Sequence, residues 1–488
     1  MQKFKRGIFT AGLTGLVMSL VVACGGGGGG SFAGIDRLGV TTGTITGFGS
    51  IIVNGVRYDT TGTSFSIDDN PGQIGSLQVG QVVTVRWSSS DNGVTRRADD
   101  VFYDDAVEGP ITPGSIDRAA QSFLVLGQTV RVDADTSFAS PLFDLDSLAD
   151  GDFVEVSGLL DDSGATPVVR ATRIERKAPG GELEIRGIVT GRTANTFAIN
   201  GQVVNTATAV IDAPGNEISN GDFVEAKGTF VNGSGQLVAT RVELEDGADR
   251  IGSDGDDAEV EGYVTAFTSA SSFSVAGVPV QSSVAADGGT VALGAKVRVE
   301  GEFNASGVIV AREVKVRAGA GGSPVDARMA ANVDSVDAPA GRLVVLGVTV
   351  QVDANTRLED QSDAGVRNFR LSDLRGGGNP DFVEIRGIVQ QNGSILATLL
   401  QRQEPDVQGR LRGRLALNAL ADPDFTLLGV TVQTDDFTSF YFDDGPEITA
   451  AEFFGGAVAA GDELKVKFLL NPPGASTPVL ADEVEIED

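Results

Sequence analysis

Apolar and polar residues take turns along most of this chain, in short bursts of five to nine residues. Phe153-Val154-Glu155-Val156 and the run from Leu237 to Leu244 show it most cleanly. A period of two predicts strands with one buried face. No stretch carries the 3.6-residue period of a long amphipathic helix. LFDLDSLADGD and the matching LSDLRGGGNPD allow a turn or two at most.

The bursts repeat in a fixed order. One phrase reads GQVVTV, GDFVEVSG, GDFVEAKG, GAKVRVEG, PDFVEIRG and GDELKV in six successive copies. Before each comes a second phrase: SIIVNGVRYD, SFLVLGQTVRVD, TFAINGQVVNT, SFSVAGVPVQS, RLVVLGVTVQVD and DFTLLGVTVQTD. A third, such as LVATRVELE, closes the unit, and a fourth, such as EGPIT or RGIVT, opens it. Asn54-Gly55 and Asn200-Gly201 favour a type I′ turn, so the second phrase predicts a hairpin. In other copies Leu or Ala stands before a glycine that stays.

Each unit therefore holds about five strands, and closing them into a barrel removes exposed edges. The expected class is all-β, a tandem array of about six small five-stranded OB-like barrels, with small β-sandwich domains as the alternative. The proposed units are 38–105, 106–178, 181–246, 257–319, 325–405 and 407–488. The stretches 247–257 and 317–326 have linker composition, which suggests a semi-rigid string of domains.

The N-terminal stretch reads differently. Lys3, Lys5 and Arg6 precede an uncharged, mostly apolar run from Gly7 to Ala23, the length of a signal-peptide core. Val21-Val22-Ala23-Cys24 looks like a bacterial lipobox, in which the thiol is acylated and the chain is cut before the cysteine. Residues 1–23 are then the lipoprotein signal, and 24–37 a lipidated Cys24 with a glycine-rich tether. Gly25, in the place of an aspartate that would retain a lipoprotein in the inner membrane, favours the outer membrane of a Gram-negative bacterium.

The lipobox, the glycine tether and the repeated phrases together resemble bacterial lipoproteins carrying repeats of the domain of unknown function 5666 family. TGTITGFGSIIVNGVRYDT, residues 42–60, matches best, while Ala331 and Pro380 depart from the pattern in the fifth unit. The resemblance implies small β-barrel domains and an envelope location. It implies no catalytic residue.

Composition narrows the chemistry. The chain has no histidine, and Cys24 is its one cysteine, so imidazole bases, catalytic triads and thiolate metal sites are closed. The net charge of −30, with few Trp and Tyr, argues against nucleic acid as a partner. Asp144, Asp146, Asp150 and Asp152 crowd one connection and are candidate calcium ligands, as are Asp254, Asp256 and Asp257 in a linker. The recurring Asp152/Glu155, Asp222/Glu225 and Asp381/Glu384 pairs read as strand-edge, outward-facing positions rather than as acid–base pairs. Arg410, Arg412 and Arg414 alternate on one strand face and are the candidate contact for an acidic partner.

The expected function is a non-enzymatic, lipid-anchored envelope protein that binds or scaffolds an envelope protein or polysaccharide. No cofactor is expected. A calcium- or glycan-dependent surface adhesion module is the alternative, and a hydrolase using carboxylates alone is a third class.

Overall fold

The computed structural model describes residues 37–90, 95–133, 136–140, 142, 144–164, 166–245, 252–318, 326–416, 419–442, 445–470 and 478–487. In the first repeat, Arg37–Phe48 pairs with Ile51–Val53, which turns at Asn54-Gly55 into Val56–Asp59. Val56–Asp59 runs parallel to Arg96–Tyr103, which pairs with Val82–Ser89, which returns to Arg37–Phe48. Counted in chain order, the strands run first, second, third, fifth, fourth and back to the first. That closed order, with its third and fifth strands parallel, is an OB-like five-stranded barrel and not a sandwich. Repeats two to five close in the same way. The sixth keeps the third–fifth–fourth–first part of that order.

Local chemistry explains the turns and the closure. All six hairpins place two residues at positive φ, as a type I′ turn requires. Asn54 and Asn200 accept that backbone readily; Leu126, Ala276, Leu346 and Leu428 adopt it in the other copies at φ near 50°. Inside each barrel the apolar half of the alternation is buried, and Phe123, Phe197 and Phe273 lie in the core as their strand positions predict. The two suspected helical stretches are single turns, Leu145–Ser147 and Leu371–Asp373. No helix among the described residues is long and apolar enough to cross a membrane.

The repeats do not form a string. First strands pair with first strands of other repeats: one with four, two with three, five with six. Each such pairing occupies a backbone edge that the barrel leaves open. The second and third repeats share one apolar core, and so do the fifth and sixth. Polar contacts then join the pairs, such as the buried Arg173–Glu359 pair and the half-buried Lys227–Asp69 pair.

Candidate functional site

The pairing of repeats two and three lines up charge. Glu108 on Val107–Pro110 stands opposite Glu184 on Leu183–Ile188 and, across its other edge, opposite Glu155 on Phe153–Asp161. Glu155 in turn faces Glu175, while Glu184 faces Lys227 and Lys227 faces Arg241. Six strands thus carry the row Glu175, Glu155, Glu108, Glu184, Lys227, Arg241. Like charges directly opposite are destabilising, and here four carboxylates stand in succession. Val107, Val154, Val156, Ile185 and Ala226 alternate with them into the core, so the row points away from its own barrels.

Repeat one covers this row. Asp68 and Asp69 form the tight turn after Ser64–Ile67, both at positive φ. Asp105 follows the strand Arg96–Tyr103. Tyr103 Oη lies 2.6 Å from Asp105 Oδ1 and 2.8 Å from Glu155 Oε1. One phenolic proton cannot serve both acceptors, so a further proton or a cation is needed between them. The Asp105 amide donates to Asp68 Oδ1 at 3.3 Å. Lys227 Nζ reaches Asp69 at 2.9 Å, Glu225 at 3.0 Å and Glu184 at 3.6 Å. Lys177 Nζ pairs with Glu155 at 2.5 Å, and Arg186 pairs with Glu245 at 2.5 Å and Asp104 at 3.4 Å.

Negative charge still exceeds positive. Burial, with Glu155 and Asp68 alongside, pushes the Asp105 carboxyl well above the ordinary range. Burial, with Glu225 and Asp105, does the same to Glu184. Asp68 rises to about 6 through burial and Glu155, and Glu108 to about 7 for the same two reasons. Such a cluster holds protons or a cation. Asp68, Asp105 and Glu184 each place an oxygen within 4.8 Å of the others.

A row of the opposite sign crosses repeats five and six: Arg386, Arg328, Arg412, Lys465. It packs against repeat two, where Arg386 donates to the Thr136 carbonyl and Lys465 meets Asp146 at 2.5 Å. Arg328 Nη1 has no hydrogen-bond partner among the described residues. Burial, with Arg386 and Arg412 on either side, brings its pKa down to about 10.

The residues singled out in the sequence sit elsewhere. Cys24 lies outside the described residues. Asp144 caps the Leu145–Ser147 turn, accepting from Ser147 N at 3.2 Å. Asp146 accepts from Arg118 Nε at 2.9 Å and from Lys465, Asp150 from the Gly114 amide at 2.8 Å, and Asp152 from the Ala149 amide at 2.9 Å and from Arg176. Each carboxylate is thus engaged by its own donors, and the four are not gathered around one point. Arg412 is taken by Glu463 at 2.5 Å and Glu487 at 2.8 Å. Arg414 donates to the Gly461 carbonyl, and Arg410 lies 3.6 Å from Asp406. Glu155, Glu225 and Glu384 do point out of their barrels, but all three are buried, against neighbouring repeats and not in solvent.

Sequence reasoning missed Asp68, Asp105, Glu108 and Glu184. The available signal was the acidic run Tyr103-Asp104-Asp105 leading into Glu108, together with a glutamate at one slot of successive strands. Which strands would pair between repeats was not readable there.

The family model described as Domain of unknown function (DUF5666) matches six times, at residues 40–101, 108–175, 186–243, 261–315, 331–401 and 416–485. A comparison with curated proteins found no match. Among solved structures, the chain is similar to drosophila Unr CSD456 at 19% identity, covering 44% of this chain and 98% of that one, with a TM-score of 0.12. With six tandem copies spanning most of its length, the chain belongs to the DUF5666 family.

Proposed function

We propose that this is a non-enzymatic, lipid-anchored envelope protein whose six barrels act as one body that binds or scaffolds a partner outside the cytoplasm. The observation that carries the reading is how the repeats spend their charged outward faces. Arg173 on Glu359, Lys227 on Asp69 and Lys465 on Asp146 each tie one repeat to another. Of the recurring carboxylates, Glu155 likewise meets Tyr103 of repeat one, which supports a joining role for that position over a reaction site. The absence of histidine and the single cysteine support the non-enzymatic part.

Val21-Val22-Ala23-Cys24 behind a basic start supports acylation at Cys24, and Gly25 supports outer-membrane sorting. Several acyl chains would hold the protein firmly, since one alone binds marginally. The test is crosslinking of the lipidated protein in its native membranes, read by mass spectrometry, beside Cys24→Ala. A stoichiometric envelope partner, lost or reduced with Cys24→Ala as the protein leaves the membrane fraction, is expected. Recovery of the parent protein from the cytosol with Cys24 unmodified would sink the reading.

A further inference from the structure

We propose that Asp68, Asp105 and Glu184 hold a calcium ion where repeats one, two and three meet. The three carboxylates come from the turn after Ser64–Ile67, the link following Arg96–Tyr103, and the strand Leu183–Ile188. The first barrel itself sets Asp68 beside Asp105, and the packing of repeat one onto the second and third brings Glu184 to them.

An acidic cluster alone would be weak ground. Here the second observation is that ligand atoms are left unmet in the interior. Asp105 is 1% exposed and Glu184 2% exposed, yet Asp105 Oδ2 and Glu184 Oε1 have no hydrogen-bond partner among the described residues. A buried polar atom without a partner costs on the order of 1–3 kcal/mol, more when charged. The nearby cations do not cover them. Lys177 is engaged by Glu155 and Glu175, and Lys227 by Asp69 and Glu225, reaching Glu184 only at 3.6 Å. Glu108 and Glu155 add further negative charge beside the same point.

The donor set selects the ion. All donors are oxygens, which suits a hard cation and not zinc or copper. Calcium–oxygen distances of about 2.3–2.6 Å allow two ligand atoms of one shell to lie up to about 5 Å apart. The three oxygens fall within 4.8 Å of one another. Two anionic ligands from repeat one and one from repeat three form an irregular shell, which calcium tolerates and magnesium, with its near-octahedral demand, does not. The ion would act as a clamp, tying repeat one to the paired second and third. The assignment is independent of membrane anchoring.

The test is titration calorimetry of the purified full chain, stripped with a chelator, using calcium chloride and separately magnesium chloride, with melting followed in parallel. Calcium is expected to raise the melting temperature and to bind at a site that Asp105→Asn/Glu184→Gln loses. Asp68→Asn changes only a half-buried turn and serves as the second variant. It should keep the metal-free melting temperature while weakening that site at least about tenfold. Calcium binding unchanged in both variants would overturn the proposal, as would no calcium binding or an equal shift with magnesium.

Discussion

Arg173 of the second repeat donates through Nη1 to Glu359 of the fifth at 2.9 Å, with side chains only 7% and 9% exposed. The same nitrogen reaches the Val79 carbonyl of the first repeat at 3.0 Å. One guanidinium thus joins three barrels, at a depth where an ion pair is costly to break. Removing one partner of a buried pair typically costs about 3–5 kcal/mol, because the other charge is left uncompensated. Glu359→Ala should therefore lower the chemical denaturation midpoint sharply. Arg173→Met combined with Glu359→Leu should recover most of the loss. Two single variants whose effects simply add would show that the pair is not coupled.

Strands, hairpins and closure were legible in the sequence because each rests on neighbours within one repeat. Period-two alternation placed Phe123, Phe197 and Phe273 inside, and the glycine at each turn marked the hairpin even where Leu346 or Ala276 precedes it. Contacts between repeats left no such local trace. Glu155 and Glu384 alternate with core valines like solvent-facing residues, and only the docking of another barrel makes them buried. The order of pairing also follows no chain proximity, since the first repeat takes the fourth as its strand partner. Asp68, Asp105 and Glu184 therefore could not be read as one group.

Arg328 gives a prediction of opposite sign. It is 8% exposed, flanked on adjacent strands by Arg386 and Arg412, and its Nη1 lacks a hydrogen-bond partner among the described residues. Burial and the two neighbouring guanidiniums bring its pKa down to about 10, so at neutral pH it is still charged and unfavourably placed. Arg328→Met keeps the bulk of the stem and removes the charge. Replacing an ill-compensated buried charge with an apolar group is often worth about 1–4 kcal/mol. The variant should melt at a higher temperature than the parent. A lower one would show that the guanidinium is better satisfied than its surroundings indicate.

The glycine that closes each VEVSG-like phrase in the second to fifth repeats has a steric role. Gly158, Gly228, Gly301 and Gly387 sit where the register slips by one residue against the next strand. A Cβ at Gly387 would be driven into the Leu396 carbonyl, and the other three meet a backbone carbonyl in the same way. Backbone cannot yield as a side-chain end can. Gly387→Ala should cost about 1–3 kcal/mol, the usual range for overpacking. Gly378→Ala, where nothing lies within 4 Å, should change the midpoint little. Equal effects at the two positions would remove the steric explanation.

Asp360 supplies an acid-side test away from the acidic seam. Its side chain is 0% exposed and accepts from Arg402 Nε at 2.9 Å, Ser362 Oγ at 2.7 Å and the Val366 amide at 2.6 Å. Burial alone would raise its pKa, but the Arg402 bond, then Ser362 and Val366, bring it from 3.8 down to about 2. A carboxyl whose folded value is depressed adds stability that is fully present above its unfolded value. That stability is lost as pH falls through the folded one. Nearly two pH units of depression corresponds to roughly 2 kcal/mol. Asp360→Asn should therefore be less stable than the parent at neutral pH by about that amount or more. The gap should begin to narrow near pH 4 and keep narrowing towards pH 2, other titrating groups being common to both proteins. Denaturation midpoints of parent and variant, measured at intervals from pH 6 downward, decide it. A gap that stays constant across that range would mean that the Arg402–Asp360 bond does not control the titration of this carboxyl.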